Sequence, residues 1–354
     1  MPNKINVIII GGSINSTIAE THLRSLLITR KYNIIGGIFS KNQNTNIKTG
    51  LNYGLSKDKI FPNIDNLLRN IKFKIDFAIL ITPPSIRFDY IKKLAENNIN
   101  IICEKPMTNN IFEAKKINNI VKKNKIYFVL SYNYIFYPAL IEIKNNLKQL
   151  GKIKYFIFEM AQQGFLLNKT KIKKWRLKDN QIPSLHLDLG SHLISLVKFF
   201  FNKYPLKIRS NLIKDKRHKI IETATSNIIY KDFSGHIWFT KSALGENNNI
   251  ALKIYGTKGT YKWSHAEPEI VKFWNIQGEN KILERYSRKV KFINNKKFYG
   301  YVPGHPSGFQ DTFTNFYNIV YKDFFKKANS LEKSMLIKNL DGFKIMQVLN
   351  KISD

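Results

Sequence analysis

Short apolar strands alternate with helices through the first 130 residues, and this alternation limits the possible folds more than any other feature of the chain. Residues 5–10 form a buried-strand run that ends at Gly11-Gly12, and a helical stretch over about 18–29 follows it. Further strand patterns cover 33–39, 77–81, 99–103 and 127–131, with helical patterns at 85–97 and 111–124. This order predicts a doubly wound parallel sheet, in which ligands bind at the carboxyl ends of the strands.

After about residue 132 the pattern changes, and over residues 207–274 strands follow one another without helices between them. A helix over 138–150 stopped by Gly151, a strand over 152–158 and a long helix over 187–201 come first. Strand-like runs then fill residues 207–274, and helices over 309–327 and 331–352 close the chain. The pattern predicts an α+β domain with a large open, mainly antiparallel sheet. Because 354 residues suit two cores, we divide the chain into domains 1–131 and 132–354.

The chain is strongly basic, with a formal net charge of +33, but its charge pattern is not that of a nucleic-acid-binding protein. The basic residues are mostly Lys and are spread along the whole chain, so we expect a solvated surface and no specific nucleic acid. No apolar run reaches the ~18 residues of a membrane helix, so no membrane partner is expected. Cys103 is the only cysteine; with no internal disulfide to form, a cytoplasmic location is the simplest expectation.

The segment from Gly11 to Ala19 lies between the first strand and the first helix, where a dinucleotide pyrophosphate binds in folds of this kind. Glycines at 11 and 12 allow a tight turn, and the helix amino terminus offers free N–H groups and a positive dipole end. The fit to G-x-G-x-x-G/A is imperfect, because extra residues intervene and Ser13 stands where a glycine is expected. The candidate cofactor-binding residues of this segment are Gly11, Gly12, Ser13, Thr17 and Ile18.

The end of the second strand contacts the adenosine ribose in this type of sheet, and here it carries no carboxylate. An Asp or Glu at this position favours NAD by accepting a hydrogen bond from the ribose 2′-hydroxyl. Ser40 and Lys41 stand there instead, and a hydroxyl and an ammonium suit a 2′-phosphate. The cofactor is therefore NAD or NADP, with a lean towards NADP.

Three further motifs complete a recognisable pattern: Ile81-Thr82-Pro83-Pro84, Cys103-Glu104-Lys105-Pro106-Met107 and His186-Leu187-Asp188-Leu189-Gly190-Ser191-His192. In this order they resemble the glucose–fructose oxidoreductase / inositol dehydrogenase family (Gfo/Idh/MocA), over nearly the whole chain. The resemblance implies an N-terminal Rossmann-type dinucleotide domain and a C-terminal domain that binds substrate and forms a homo-oligomer, a dimer or a tetramer. It implies hydride transfer between the nicotinamide and a ring hydroxyl carbon of a sugar, sugar derivative or polyol.

The same resemblance implies that Lys105, Asp188 and His192 are catalytic and that Thr82, Pro83, Glu104 and Lys105 contact the cofactor. These side chains suit the chemistry. A Lys ammonium can stabilise developing alkoxide charge, and His is the natural general base near neutral pH. Asp188 and His192, four residues apart, share one helix face, so Asp188 can orient the imidazole or bind a neighbouring substrate hydroxyl.

The sequence departs from the family at Pro84, Ser85 and Arg87, where Asn or His is common. A catalytically silent NAD(P)-binding sensor or assembly subunit of the same fold therefore remains an alternative to the enzyme. We predict no metal, although His186 with Asp188 and His192 could be interpreted as ligands. We assign substrate contacts to these residues: Gln163, Trp175, Arg176 and His305.

Overall fold

The computed structural model describes residues 4–166, 179–217, 219–285, 287, 290–293, 295, 298, 305 and 307–353. Its first elements, in chain order, are β1 (Ile5–Gly11), α1 (Thr17–Thr29), β2 (Tyr32–Ile38), α2 (Gln43–Asn52), α3 (Ile64–Asn70), β3 (Phe77–Ile81), α4 (Arg87–Glu96), β4 (Asn100–Cys103), α5 (Ile111–Lys123) and β5 (Phe128–Leu130). The later elements are α6 (Pro138–Asn145), β6 (Ile153–Gln162), α7 (Ser191–Phe201), β7 (Lys207–Lys214), β8 (Ile221–Ile229), β9 (Ser234–Thr240), β10 (Asn247–Gly256), β11 (Gly259–Ser264), β12 (Val271–Asn275), β13 (Asn280–Leu283), α8 (Phe309–Phe324), α9 (Ser330–Ser334), β14 (Ile337–Lys338) and α10 (Asn339–Ser353).

The first compact unit contains the chain up to Thr108, Phe112–Asn133 and Phe309–Phe343. Its six-stranded sheet has the order β14-β5-β4-β3-β1-β2, parallel throughout except for the antiparallel edge strand β14. The side chains of β3 are buried on both faces of the sheet, as expected for a parallel sheet covered by helices. The doubly wound sheet predicted from the alternating pattern is therefore confirmed.

Residues 309–343 pack in this first unit, although the sequence division grouped them with the second domain. Helix α8 lies against α1: the Gln310 amide donates to Ser25 Oγ at 2.6 Å, and the rings of His22 and Phe313 are 4.9 Å apart. Tyr32 Oη also donates to the Tyr317 carbonyl at 2.7 Å. These contacts join segments nearly 300 residues apart, and no local pattern in the sequence shows them.

The last predicted helix, over 331–352, is interrupted in the structure. A capping box between Asn329 and Glu332 starts the short helix α9, and strand β14 follows. Ile337 and Lys338 pair with Leu130 and Val129 at the edge of the first sheet, and only then does α10 begin. Pairing with a distant strand overrides the helical pattern here, as tertiary context often does.

The second compact unit contains Asn109–Ile111, Tyr134–Gly308 and the chain from Lys344 onward. Its eight-stranded sheet has the order β13-β12-β11-β10-β6-β9-β8-β7 and is antiparallel except between β6 and β9. Alternate side chains of the sheet are buried on one face, where Phe156 and Phe158 pack against Phe200 and Phe201 of α7. The predicted open, mainly antiparallel sheet is confirmed.

A π-helical turn, His186–Gly190, precedes α7 where the sequence predicted one continuous helix. Gly190 of this turn faces β9 and α10: a Cβ at this position would lie 3.0 Å from Phe239 Cζ and 3.2 Å from Leu349 Cδ2. The close approach explains a glycine inside a helical segment, where its conformational freedom is otherwise a cost. Among the described residues, no helix is both long and apolar enough to span a membrane.

Candidate active site

The turn after β1 needs both of its glycines. Gly11 and Gly12 have φ of 89° and 75°, in the region that side chains with a Cβ rarely adopt. A Cβ on Gly11 would lie 2.8 Å from the Ile81 carbonyl carbon, and one on Gly12 would lie 2.6 Å from Ala19 Cβ. Ala19 therefore takes the place of the third small residue of the motif, the one that lets the helix approach the strand.

The segment from Gly12 to the start of α1 is hydrogen-bonded to α2 and to the residue that follows α2. Tyr53 Oη donates to the Gly12 carbonyl at 2.8 Å, and the Ile14 amide donates to Thr49 Oγ1 at 3.1 Å. The Ser13 carbonyl accepts from the Ser16 amide at 2.7 Å. Ser13 is not at a positive φ, so a glycine is not required there. Helix α1 begins at Thr17, and the N–H groups of its first turn suit a pyrophosphate.

The chain after β2 presents a hydroxyl and an ammonium. Ser40 Oγ accepts from the Asn42 amide at 3.1 Å, and the Lys41 side chain is exposed. The turn itself is shaped by buried Asn46, whose side-chain oxygen accepts from the Phe39 amide at 2.7 Å. No carboxylate follows the strand, so assignment of Ser40 and Lys41 to a 2′-phosphate stays a prediction.

Arg87 is one of the three residues that depart from the family pattern. Its side chain is hydrogen-bonded to two of the turns at the carboxyl end of the sheet. The buried guanidinium donates through Nε to the Thr82 carbonyl at 2.9 Å. It also donates through one terminal nitrogen to the carbonyls of Glu104 and Pro106. One side chain thus joins the Thr-Pro turn after β3 to the Glu-Lys-Pro turn after β4. An Arg can do this because its planar fork has five N–H donors.

Thr82 and Lys105 are the residues of these two turns that suit a ligand. Thr82 is 5% exposed, and its hydroxyl has no hydrogen-bond partner among the described residues. A buried hydroxyl without a partner is costly, so a ligand polar group at this point is consistent with the predicted cofactor site. Lys105 is half-buried while its neighbours Glu104 and Pro106 are buried. It is the second residue after β4 and is joined to Pro106 by a cis peptide bond.

Glu104 is held by other residues of the first unit. Its Oε1 accepts from His22 Nε2 at 2.9 Å and from the Ser131 hydroxyl, and His22 Nδ1 is 2.6 Å from Tyr317 Oη. Burial alone would raise the pKa of Glu104. The hydrogen bonds from His22 and Ser131, with the charges of His22 and Arg87, outweigh burial and lower the pKa. The carboxylate adjoining Lys105 is thus anchored in the core, a role that its motif alone did not indicate.

In the second unit, Asp188 and His192 lie one helical turn apart on the segment that leads into α7, and both are buried. Asp188 Oδ2 accepts from Lys241 Nζ at 2.8 Å, and Lys241 is only 3% exposed. Sequence analysis missed Lys241, because one lysine at a strand end is not distinguishable among the 58 basic residues of this chain.

The Tyr134 ring contacts His192 and is itself bound by an amide side chain. The Tyr134 ring packs edge-on against the imidazole with centroids 4.7 Å apart, and Asn248 Nδ2 donates to Tyr134 Oη at 2.6 Å. Burial raises the pKa of Tyr134 to about 12, so its hydroxyl stays protonated. His265 Nε2 lies 2.8 Å from Tyr137 Oη, and burial lowers the pKa of His265. His265 and Asn248 were also not predicted as site residues.

The residues predicted to contact substrate differ in their hydrogen bonds and exposure. The two ends of the Gln163 side chain bond to the Gly245 amide, at 3.0 Å, and to Asn247 Oδ1, so this side chain shapes the turn before β10. His305 is exposed, and its carbonyl accepts from Arg285 at 2.8 Å. Trp175 and Arg176 lie outside the described residues.

His186 has a structural environment. It is completely buried, with Nδ1 3.1 Å from Ser353 Oγ and its ring 5.3 Å from that of Phe239. Burial lowers its pKa to about 3, so the imidazole is neutral at physiological pH. Within the described part of the chain, no group of three His, Cys, Asp or Glu side chains is placed to hold a metal.

A glycine turn before a helix, a parallel sheet and a second domain with a mainly antiparallel sheet are features of two-domain, dinucleotide-binding oxidoreductases. Residues 5–132 match the model of the oxidoreductase family with an NAD-binding Rossmann fold, and residues 146–262 match the GFO/IDH/MocA C-terminal domain. The chain therefore belongs to the Gfo/Idh/MocA family of NAD-binding oxidoreductases, as its motifs indicated.

Relatives of the chain are distant in sequence and close in fold. An uncharacterized protein of Saccharomyces cerevisiae is 22% identical over 58% of this chain, and the match spans 59% of that protein's length. An inositol dehydrogenase homolog from Azotobacter vinelandii, solved with NADH and myo-inositol, has a TM-score of 0.87 at 18% identity and covers 99% of this chain and 94% of its own. Levoglucosan dehydrogenase with NADH and levoglucosan has a TM-score of 0.84 at 16% identity, covering 99% and 96%.

Proposed function

We propose that this protein transfers a hydride between a nicotinamide cofactor and a ring hydroxyl carbon of a sugar, sugar derivative or polyol, using Lys105, Asp188 and His192. The observation that carries the proposal is the half-buried Lys105 in the turn after β4, between residues whose carbonyls Arg87 holds. Ligands of a doubly wound sheet bind at this end of the strands. We lean towards catabolic use of a free sugar over synthesis of a nucleotide sugar.

The three side chains divide the work. Lys105 donates a hydrogen bond to the reacting oxygen and stabilises the alkoxide charge that develops there. His192 takes the hydroxyl proton, since an imidazole is the usual general base near pH 7. Asp188 is bound to Lys241 and so serves as an acceptor that orients a substrate hydroxyl or the imidazole. The nicotinamide, when bound, accepts or supplies the hydride.

The glycine turn and the end of β2 would hold the cofactor. The residues proposed for its pyrophosphate are those of the turn and first helical turn: Gly11, Gly12, Ser13, Thr17 and Ile18. We assign Ser40 and Lys41 to the adenosine ribose and its 2′-phosphate, and Thr82, Pro83, Glu104 and Lys105 to the nicotinamide end. Of the last set, Glu104 acts through its position beside Lys105, because its carboxylate is engaged by His22 and Ser131.

The first experiment is a thermal-shift titration of the protein with NAD, NADH, NADP and NADPH. A panel of sugars and polyols is then added to the titration and also tested in a turnover assay. Myo-inositol and levoglucosan belong in the panel because they are bound in structures of similar fold. A cofactor that binds the folded state raises the melting temperature with its concentration. We expect NADP or NADPH to bind more tightly, and Lys41→Ala to remove that preference.

Activity is then tested in Lys105→Ala and His192→Ala, with exposed Lys148→Ala as the matched control. We expect kcat to fall by about 10²–10⁴ in each site variant, with cofactor affinity nearly intact. Full turnover in either variant contradicts the assignment. A cofactor-induced shift without turnover on any substrate supports the catalytically silent NAD(P)-binding subunit instead.

We also propose a cytoplasmic homo-oligomer, a dimer or a tetramer, formed on the open face of the second sheet. Tyr155 and Tyr255 are cross-strand partners on that face, opposite to buried Phe156, and Trp238 of β9 is likewise only half-buried. Such aromatic side chains are enriched in interfaces. Light scattering on the purified protein measures the mass directly, and a monomer at micromolar concentration contradicts the proposal.

A further inference from the structure

Lys241 is unusual because it is buried, and a lysine is almost never fully buried unless its charge is paired. It directly follows β9, its side chain is 4% exposed, and its Nζ is 2.8 Å from Asp188 Oδ2. The ring of Phe165 lies on another side, with its centroid 5.3 Å from Nζ. Within the described part of the chain, Asp188 is the one hydrogen-bond acceptor of this ammonium.

The backbone around Lys241 is hydrogen-bonded on both sides, which fixes the point from which its side chain extends. The Lys241 amide donates to the Glu222 carbonyl at 3.0 Å, and the Lys241 carbonyl accepts from the Phe165 amide at 3.0 Å. The flanking Thr240 hydroxyl donates to the Glu222 carbonyl at 3.1 Å, and the Ser242 hydroxyl donates to Glu222 Oε2 at 2.5 Å. The four-carbon side chain of a lysine is flexible, and a fixed backbone limits the positions that its ammonium can reach.

We propose that Lys241 is a positioning residue for this site: it holds Asp188 ionised and oriented, so that His192 is the group that exchanges a proton with the substrate. The inference rests on the proposed function for its catalytic consequence. A carboxylate alone in a buried site takes up a proton readily, whereas a cation in contact keeps it ionised. Among the described residues, Lys241 after β9 forms an ion pair with Asp188, and the Asp188 charge acts on Tyr134 from the segment before α6. His192 of α7 lies four residues further along, and His186 begins the same π-helical turn.

The holding role is tested in the substrate-free protein by a double-mutant cycle of Lys241→Met, Asp188→Asn and the double variant. Each single change removes one member of the buried ion pair, whereas the double change removes both charges. Each single change is expected to raise the equilibrium constant of unfolding relative to wild type. If the two increases were independent, the double variant would show their product. We expect its constant to be at least tenfold smaller than that product. Additive effects would overturn the inference. If Lys241→Met does not fold, the cycle uses Lys241→Gln, which removes the charge but keeps a polar side chain.

The catalytic consequence is tested by the pH profile of kcat/KM in wild type, Lys241→Arg and Lys241→Met. We expect one ionisation on the acid side for wild type and Lys241→Arg. In Lys241→Met a second ionisation steepens that side, and kcat falls about a hundredfold, in the range of a lost electrostatic contact, with little change in KM. An unchanged profile and kcat in Lys241→Met would overturn the inference. If wild type turns over no sugar or polyol, the proposed function fails, and the stability cycle still decides whether Lys241 holds Asp188.

Discussion

The buried His186 makes a quantitative prediction about acid stability. Its pKa is lowered by burial from 6.5 to about 3 in the folded chain. The unfolded chain therefore binds a proton more tightly than the folded chain, and stability is lost as pH falls below 6.5 until it levels off near 3. From these two values, His186 alone removes about 2 kcal/mol of unfolding free energy between pH 7.5 and pH 5.

The assay is urea unfolding at pH 7.5, 6.5, 5.5 and 5.0 for wild type and His186→Asn. The amide retains a polar atom for Ser353 Oγ but does not titrate, and it is smaller, so we expect a cost at pH 7.5 of roughly 1–2 kcal/mol. Between pH 7.5 and 5 the variant then loses about 2 kcal/mol less than wild type does.

The control is His305→Asn, because the His305 side chain is exposed. It should follow the wild-type pH dependence. The acid loss of other groups, including Glu104, is common to all three proteins and cancels in the difference. Equal losses in wild type and His186→Asn would refute the reasoning and show that His186 is protonated without unfolding.

Substitutions at three further positions test the first unit. Gly12→Ala places a Cβ 2.6 Å from Ala19 Cβ at a positive φ, so we expect a cost on the order of 1–3 kcal/mol, with weaker dinucleotide binding, measured by titration calorimetry. His22→Ala leaves the Glu104 carboxylate buried without its imidazole partner, and urea unfolding should show a loss of about 3–5 kcal/mol, whereas an unchanged midpoint would contradict the network. Arg87→Met frees three buried carbonyls and should cost about 3 kcal/mol and lower kcat; Arg87→Lys, which keeps the charge but not the fork, should not rescue it.

The local patterns of the sequence determined much of this protein. The buried run of β1 and the glycines that end it predicted a parallel sheet with a cofactor turn, because strand periodicity and a positive φ depend on residues close in the chain. The four-residue spacing of Asp188 and His192 placed them on one face in the same way. The family's motifs supplied Lys105, which the structure describes at the end of β4.

The tertiary structure alone decided which distant side chains support these residues. Lys241 reaches Asp188 across 53 positions, and His22 reaches Tyr317 across 295. The sequence treated Arg87 as a departure from the family, and the fold makes it the donor that joins two turns. Such pairs have no spacing rule, because their partners meet only after the sheets have formed and their cost or benefit depends on burial. Local backbone geometry thus depends on residues that are neighbours in the sequence, whereas the electrostatics of the site depend on residues that only folding brings together.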